Sequence, residues 1–319
     1  MAKTFGFEST TDEVLEGVNL SGKRVLVTGV SAGLGVETAR TLVAHGATVV
    51  GAARDLNKAR TALAQAFPNQ ANHLPVELVE ADLASLKSVR KAADELIAQG
   101  KSFDVIIANA GVMACPQGKT ADGFETQFGT NHLGHFVFVN KLIPLLKPGA
   151  RIVTLSSAGH QISDVNLEDP NFERTEYAPF TGYGRSKTAN ILYAVALDNK
   201  LKGRGIRATS LHPGGIQTEL GRHMTPELMD QLRARIAASK QATTFSFKSV
   251  PQGAATTVWA GFVAPADAVG GRYCEDCHVC EVNDDTTSRA GVRSYALNPS
   301  RAEALWRKSE EMVGERFPL

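Results

Sequence analysis

A glycine-rich turn between a short apolar strand and an amphipathic helix constrains this chain most. Residues 23–29, KRVLVTG, form a β-branched run ending in glycine, which is typical of a buried strand. The next residues complete the spacing G-x-x-x-G-x-G at Gly29, Gly33 and Gly35. Such glycines allow a tight turn, close approach of the main chain to a pyrophosphate, and close helix packing. Because the following helix offers unpaired N–H groups, the turn predicts a dinucleotide site, with a purely structural turn as the alternative.

Strand and helix patterns alternate along most of the remaining chain. Apolar runs predict strands at 23–29, 47–53, 76–83, 103–111, 150–157 and 206–214, with single helices between them. Such crossovers imply a parallel sheet covered on both faces, the doubly wound α/β architecture, whose ligands bind at the carboxyl ends of the strands. No linker or repeat interrupts the pattern, so residues 1–319 are predicted to form one domain with its core at about 20–280.

The segment 215–250 breaks this alternation with polar, helix-prone sequence. A long excursion at the carboxyl edge of such a sheet predicts a lid over the substrate site. The alternative is a passive surface insertion.

Charge and hydropathy exclude several classes of partner. The chain has 34 basic and 33 acidic residues, so no overall field attracts it to nucleic acid or anionic lipid. The N-terminus lacks an apolar signal-peptide core, and the longest apolar stretch, 136–146, is too short to span a bilayer. We therefore expect a cytoplasmic protein with a small-molecule substrate and neither a nucleic-acid nor a membrane partner.

Three of the four cysteines are close in sequence, at Cys274, Cys277 and Cys280, with His278 among them. This spacing is similar to that of zinc ligands. A final strand expected at 273–277 would send the cysteines to different faces of the sheet. The prediction is free thiols and no metal, with zinc as the alternative.

The second predicted strand ends in Ala53 and Arg54, where NAD-binding folds place an acidic residue for the adenosine ribose. No carboxylate at position 53 repels a 2′-phosphate, and Arg54 can offer it a bidentate fork. Ser31, in the glycine turn, can add another hydrogen bond. These residues predict NADP(H) rather than NAD(H), the alternative being a surface arginine paired with Asp55.

Two other predicted strands end in residues suited to a cofactor. Asp82 and Leu83 leave the third strand where an adenine would lie. Asn109, Ala110 and Gly111 leave the fourth and offer a floor of small residues beneath the cofactor.

Of five tyrosines, only Tyr183 has a lysine four positions later, Lys187. On a helix this spacing places both side chains on one face. An ammonium group, helped by the positive charge of an oxidised nicotinamide, stabilises a tyrosinate and lowers the pKa of the tyrosine. Such a tyrosine can give a proton to a carbonyl oxygen or take one from an alcohol.

Together these motifs resemble the short-chain dehydrogenase/reductase family, over about residues 20–265. They occur in the family's order: TGVSAGLG at 28–35, which includes Leu34, then Asp82, NAG at 109–111, Asn131, the serine pair 156–157, YGRSK at 183–187 and PGGIQT at 213–218. The resemblance implies a Rossmann-type fold and a homodimer or homotetramer formed through predicted long helices at 122–147 and 181–203.

The resemblance also implies roles for individual residues. Tyr183 is expected to be the general acid/base, Lys187 to lower its pKa and hold the nicotinamide ribose, and Asn131 to hold a water that links Lys187 to solvent. Strand alternation lets only one of Ser156 and Ser157 face the substrate, and the family favours Ser157. The family pattern implies nicotinamide contacts at Pro213, Gly214, Ile216 and Thr218.

Ser157 and Tyr183 are 26 residues apart, about twice the separation usual in that family. The added stretch, 158–182, resembles the retinol dehydrogenase-like and protochlorophyllide reductase-like branch. His132, His135 and His212 are expected to be structural, while His160 either lines the substrate cleft or is structural as well.

The leading prediction is an NADP(H)-dependent oxidoreductase that interconverts a carbonyl and an alcohol. One alternative is a cofactor-sensing regulatory protein without turnover. Another is a sugar-nucleotide epimerase or dehydratase, although those usually carry the turn G-x-x-G-x-x-G.

Overall fold

A computed structural model describes residues 4–70 and 73–319. Its sheet has eight strands: β1 (Arg24–Thr28), β2 (Thr48–Ala53), β3 (Val76–Glu80), β4 (Phe103–Ala108), β5 (Leu146–Leu155), β6 (Arg207–His212), β7 (Tyr273–Glu275) and β8 (His278–Val279). The strand order is β3-β2-β1-β4-β5-β6-β7-β8, and all pairs are parallel except β7 with β8. This order confirms the predicted doubly wound α/β fold.

Helices cover both faces of the sheet: α1 (Thr11–Leu15), α2 (Gly33–Ala44), α3 (Leu56–Ala66), α4 (Leu86–Ala98), α5 (Thr126–Phe128), α6 (Gly134–Leu142), α7 (Pro179–Leu201), α8 (Pro226–Ala237), α9 (Val250–Val258), α10 (Ala266–Val269) and α11 (Pro299–Val313). A π-helical turn, Gly129–Leu133, joins α5 to α6. Alternate strand residues face opposite layers. Leu26 packs with α4, α6, α7 and α11, whereas Val25 and Val27 pack with α1, α2, α3 and α9.

The predicted strands end earlier than expected, and this creates the edge where the site lies. Asp82 and Leu83 follow β3, the residues 109–111 follow β4, and Ser156 follows β5. Parallel strands deliver these short loops to one edge of the sheet. Pro213 follows β6 at the same edge.

Three predicted boundaries were wrong. The helix expected at 122–147 ends at Leu142, because Pro144 lacks the N–H that would continue it, and β5 begins at Leu146 rather than at 150. The strand expected at 273–277 ends at Glu275. Asp276 and Cys277 both have positive φ angles, 49° and 58°, and form the two-residue turn of a hairpin that returns as β8.

In the 215–250 segment, helix α8 has no fully buried residue. Its apolar side chains, such as Leu228 and Ile236, are half-buried, while Arg233 is exposed beside Asp230. The segment is anchored beyond both ends of α8, by an ion pair between Lys58 and Glu219 and by the main-chain bond from Lys240 N–H to the Thr287 oxygen (2.9 Å).

The C-terminal helix α11 covers α6 and α7. The Trp306 ring lies 5.0 Å from that of Phe136 and 6.0 Å from that of Tyr193, measured between centroids. Deeper in the layer, the Nε2 atom of His132 is 2.7 Å from the hydroxyl of Ser309. The two long helices that the family resemblance places in a subunit interface are therefore almost fully buried within one chain.

Candidate active site

The glycine turn has the shape that a pyrophosphate requires. Helix α2 begins at Gly33, and its N-cap residue, Ala32, makes no side-chain hydrogen bond to the first N–H groups. Those donors are thus available to an anion. A Cβ at position 35 would lie 2.2 Å from the carbonyl oxygen of Gly29, so only glycine allows this approach. The turn therefore fits the diphosphate of a dinucleotide.

Thr28 ties the loop after β4 to the glycine turn. Its Oγ1 accepts hydrogen bonds from the N–H groups of Asn109 and Ala110, both at 3.0 Å. The side-chain amide of Asn109 donates to the Thr28 carbonyl oxygen at 2.7 Å. Beyond them, a Cβ on Gly111 would lie 3.1 Å from Oδ1 of Asn131 and 3.5 Å from Nζ of Lys187. This loop thus runs from the cofactor turn to the predicted catalytic residues.

Three of the expected cofactor residues make contacts within the protein. Leu83 is buried in the core, where a Cβ on Gly134 would lie 2.4 Å from the Leu83 oxygen. The Ile216 side chain packs on Gly253 of α9, where the side chain of Leu34 from the glycine turn also lies. Asp82 uses one carboxylate oxygen to accept the N–H of Ala84 at 3.0 Å.

Thr218 lies beside the glycine turn, next to Gly33. A Cβ on Gly33 would lie 3.2 Å from its Cγ2. The Thr218 hydroxyl accepts the N–H of Leu220 at 3.4 Å and caps the following turn.

Arg54 is exposed at the end of β2. The alternative pairing with Asp55 does not form, because that carboxylate accepts the N–H of Lys58 at 2.9 Å and caps α3. Within the described part of the chain, no acidic side chain forms an ion pair with Arg54. Ser31 is half-buried in the glycine turn.

The two serines after β5 have different surroundings. Ser156 is buried, and its hydroxyl donates to the carbonyl oxygen of Lys187 at 2.8 Å. Ser157 lies beside the Tyr183 ring, since a Cβ on Gly159 would lie 3.3 Å from Oγ of Ser157 and 2.8 Å from Cδ1 of Tyr183. The Oγ atom of Ser157 accepts the N–H of Gly159 at 3.0 Å. Ser157 is therefore the serine beside the tyrosine.

Tyr183 and Lys187 are buried on the same face of α7. The Nζ atom of Lys187 donates to the Leu155 carbonyl oxygen at 3.0 Å and lies 5.7 Å from the centroid of the Tyr183 ring. Burial raises the pKa of Tyr183 to about 12 and lowers that of Lys187 to about 8. The expected lowering of the tyrosine pKa thus does not follow from Lys187 alone, because burial outweighs its charge.

Asn131 lies in the π-helical turn, and its side chain is used to hold the loop after β4. Its Nδ2 donates to the Val112 oxygen and to the Ser186 hydroxyl, both at 2.9 Å, while Oδ1 accepts the Val112 N–H at 2.8 Å. Both side-chain donors are therefore engaged. Asn131 can therefore bind a water only through its oxygen atoms, as a hydrogen-bond acceptor.

His135, which was expected to be structural, joins two parts of this site. Because Thr28 Oγ1 already accepts two N–H groups, its own proton must go to Nε2 of His135, at 2.8 Å. The Nδ1 atom then carries the proton and donates to the Asn131 oxygen at 3.0 Å. Burial lowers the pKa of His135 to about 4 and keeps it neutral. Its place four residues after Asn131 on the same helix was the available sequence signal.

His160 does not line the cleft. It is completely buried, its Nδ1 donates to the Ser157 oxygen at 2.7 Å, and its Nε2 accepts the N–H of Arg293 at 3.2 Å. Its neighbour Gly159 packs on the catalytic candidate, since a Cβ there would lie 2.7 Å from Cε1 of Tyr183. These contacts hold the turn after β5 against α7.

All four cysteines are buried free thiols. Cys274 lies on β7 near the Thr209 hydroxyl, and Cys277 lies in the hairpin turn near Thr256. Among residues 4–70 and 73–319, no three His, Cys, Asp or Glu side chains are arranged to bind a metal ion.

Comparison with known proteins identifies the family. The model of the short chain dehydrogenase family matches residues 23–228. Short-chain dehydrogenase/reductase prx1 of Penicillium roqueforti is 39% identical over 303 residues, covering 92% of this chain and 86% of that protein. Retinol dehydrogenase 14 of Mus musculus is 40% identical over 306 residues, covering 92% and 87%.

Solved structures agree with this assignment. A putative uncharacterized protein from Mycobacterium paratuberculosis has a TM-score of 0.70 and 34% identity, covering 94% of this chain and 97% of that chain. A short chain dehydrogenase from Burkholderia cenocepacia in complex with NADP has a TM-score of 0.59 and 26% identity, covering 78% and 93%. No helix in the described ranges is long and apolar enough to cross a membrane, and the expected cytoplasmic location stays a prediction. The chain is an oxidoreductase of the short-chain dehydrogenase/reductase family and belongs to its retinol dehydrogenase-like branch.

Proposed function

We propose that this protein uses NADP(H) to interconvert a carbonyl and an alcohol, with Tyr183 as the general acid/base. The observation that carries the proposal is that the buried side chains of Tyr183 and Lys187 lie with half-buried Ser157 at the carboxyl edge of the sheet. A bound nicotinamide supplies or accepts the hydride. At the same edge, the glycine turn offers the unpaired N–H groups at the start of α2 to the diphosphate of the cofactor.

The residues have distinct roles in this proposal. Ser157 holds the substrate oxygen beside Tyr183, which gives it a proton in reduction and removes one in oxidation. Lys187 binds the nicotinamide ribose and, together with the positive ring of the oxidised cofactor, offsets the burial that raises the pKa of Tyr183 to about 12. Asn131 keeps the loop after β4 in place beneath the cofactor.

Arg54 supports NADP(H) over NAD(H). It is exposed at the strand end where the adenosine ribose binds in this fold, and no described acidic residue competes for its guanidinium. A related structure, that from Burkholderia cenocepacia, is a complex with NADP. The 215–250 segment, anchored beyond both ends of α8, serves as the substrate lid in this proposal.

A spectrophotometric screen tests the function. Purified protein with NADPH or NADP⁺ is mixed with a panel of ketones, aldehydes and alcohols, and the cofactor absorbance is followed. We expect turnover of at least one carbonyl–alcohol pair. Tight binding of NADPH without turnover of any member would favour a cofactor-sensing protein instead.

A further inference from the structure

An arginine outside the proposed catalytic group lies between the Ser157 turn and the 215–250 segment. Arg289 belongs to the loop after β8, and both of its main-chain polar groups are bonded. Its carbonyl oxygen accepts a hydrogen bond from Nε2 of Gln161 at 3.2 Å, and its N–H donates to Oε1 of Gln241 at 2.8 Å. Gln161 follows Ser157 by four residues, whereas Gln241 belongs to the 215–250 segment. The position of Arg289 is thus fixed from both sides of the cleft.

The Arg289 guanidinium points toward the loop after β6. Its carbon lies 5.8 Å from the centroid of the Phe245 ring. That ring covers Gly215, where a Cβ would lie 3.1 Å from Cζ of Phe245. Because Gly215 directly follows Pro213 and Gly214, the guanidinium and the phenyl ring stand over the proposed nicotinamide loop.

This guanidinium has no acceptor. In the ranges 4–70 and 73–319, no hydrogen bond or ion pair joins the Arg289 side chain to a carboxylate or a carbonyl oxygen. Comparable arginines of the same region are satisfied: Arg293 donates to the oxygens of Asn283 and Ser288, and Arg301 forms an ion pair with Asp164 at 2.7 Å. The Arg289 side chain is half-buried, and its guanidinium nitrogens still reach solvent, so its donors are available to an anionic ligand.

Basic groups lie near the Arg289 guanidinium. Burial first, and then the charge of Arg235 of α8, lower the pKa of Arg289. At the end of β6, the Nδ1 atom of His212 is buried without a hydrogen-bond partner. Burial first, and then the charges of Arg289, Lys248 and Lys187, lower the pKa of His212 to about 3. Of these cations, Lys248 is paired with the carboxylate of Asp276.

We propose that Arg289 binds a carboxylate on the substrate, whose apolar body lies against Phe245. The planar guanidinium fork matches a carboxylate in geometry and charge. The substrate class is then an aldehyde or ketone acid, or the corresponding hydroxy acid. This inference rests on the proposed carbonyl–alcohol activity.

Matched acid and ester substrates test it. The pairs are 4-carboxybenzaldehyde with methyl 4-formylbenzoate, and levulinate with methyl levulinate. We expect wild type to have a KM about 10- to 100-fold lower for the acid of an accepted pair. Arg289→Gln should remove that preference and leave kcat and the ester kinetics within about threefold. The control is Arg233→Gln, which removes the same charge from the outward face of α8, where Arg233 pairs with Asp230.

The outcomes separate the two proposals. Equal kinetics for acid and ester, or an equal loss for both in Arg289→Gln, would overturn the carboxylate site and leave the oxidoreductase assignment intact. If no carbonyl compound is reduced, the proposed function fails. Calorimetric titration of benzoate into the NADPH-loaded protein then tests whether Arg289 binds a carboxylate. Binding by wild type but not by Arg289→Gln supports the site, and no binding by wild type overturns it.

Discussion

Two buried, neutral histidines fix main-chain atoms of the proposed catalytic residues. His135 donates to the carbonyl oxygen of Asn131, and His160 donates to that of Ser157. In each case the second ring nitrogen accepts a hydrogen bond from a different segment: His135 from the Thr28 hydroxyl, and His160 from the main-chain N–H of Arg293. Each imidazole is a donor and an acceptor at once, a combination that a protonated ring would lose.

Replacing His135 with phenylalanine tests this role. The ring volume stays, but the Thr28 hydroxyl and the Asn131 carbonyl lose their partners in a buried place. Leaving two buried polar groups unsatisfied should lower the free energy of unfolding by about 2–4 kcal/mol. It should also reduce kcat more than it weakens NADPH binding. Urea unfolding near pH 7.5 measures the first effect, and a loss below about 0.5 kcal/mol would show that the network is unimportant.

Cofactor choice is a second prediction at this scale. Charge-assisted hydrogen bonds contribute roughly 1.5–3 kcal/mol, so wild type should bind NADP about 10- to 100-fold more tightly than NAD. The double substitution Ala53→Asp and Arg54→Ala should reverse this order, because it adds a ribose acceptor and repels the 2′-phosphate. Dissociation constants for both cofactors are compared at fixed salt. Equal wild-type affinities would refute the role given to Arg54.

At the scale of elements, the sequence predicts those features whose structure depends on neighbouring residues in the chain. The glycine turn, the helix with Tyr183 and Lys187, and the parallel strands are each visible within a short window of sequence. The π-helical turn at Gly129–Leu133 and the hairpin β7–β8 were not predicted, because neither has a local period. Bonds between distant residues accompany the π-helical turn, such as Asn131 to Ser186, and a sequence window cannot show them.

Helix α11 changes an expectation about assembly. The family resemblance placed α6 and α7 in a subunit interface, yet Trp306 and Phe317 of the same chain pack on Phe136 there. Residues of α4 and α11 belong to the same core cluster as α6 and α7, so one chain already covers these two helices. We expect light scattering after gel filtration to give a mass near 34.0 kDa, that of one chain. A dimer mass would contradict this expectation.

For the molecule as a whole, the buried histidines predict sensitivity to acid. Burial lowers the pKa of His132 to about 3 and those of His135 and His160 to about 4. Below about pH 6.5 the histidines of the unfolded chain therefore bind protons that those of the folded chain do not bind. The free energy of unfolding thus falls as the pH drops from 6.5 toward 4. Glu125 and Glu275, whose pKa values burial raises, oppose this loss at the acid end of that range.

The expected size of this effect can be measured. His212, whose pKa burial also lowers to about 3, adds a fourth histidine that stays neutral in the folded chain. At one pH unit below 6.5 each neutral histidine costs about 1.4 kcal/mol, so the four together should remove about 5–6 kcal/mol between pH 7.5 and 5.5. Urea unfolding at the two pH values gives the difference directly. His132→Leu should make the dependence shallower by about one quarter. A total change below 1 kcal/mol would mean that these side chains titrate normally in the folded protein.

The most direct test of the central claim is the effect of Tyr183→Phe on turnover, measured together with NADPH affinity. The substitution keeps the ring that packs on Gly159 and removes only the hydroxyl that faces Ser157. If Tyr183 is the general acid/base, turnover of an accepted substrate should fall about 10²- to 10⁴-fold while the NADPH dissociation constant stays within threefold. Turnover within a factor of three of wild type would contradict the assignment of Tyr183 and, with it, the proposed mechanism.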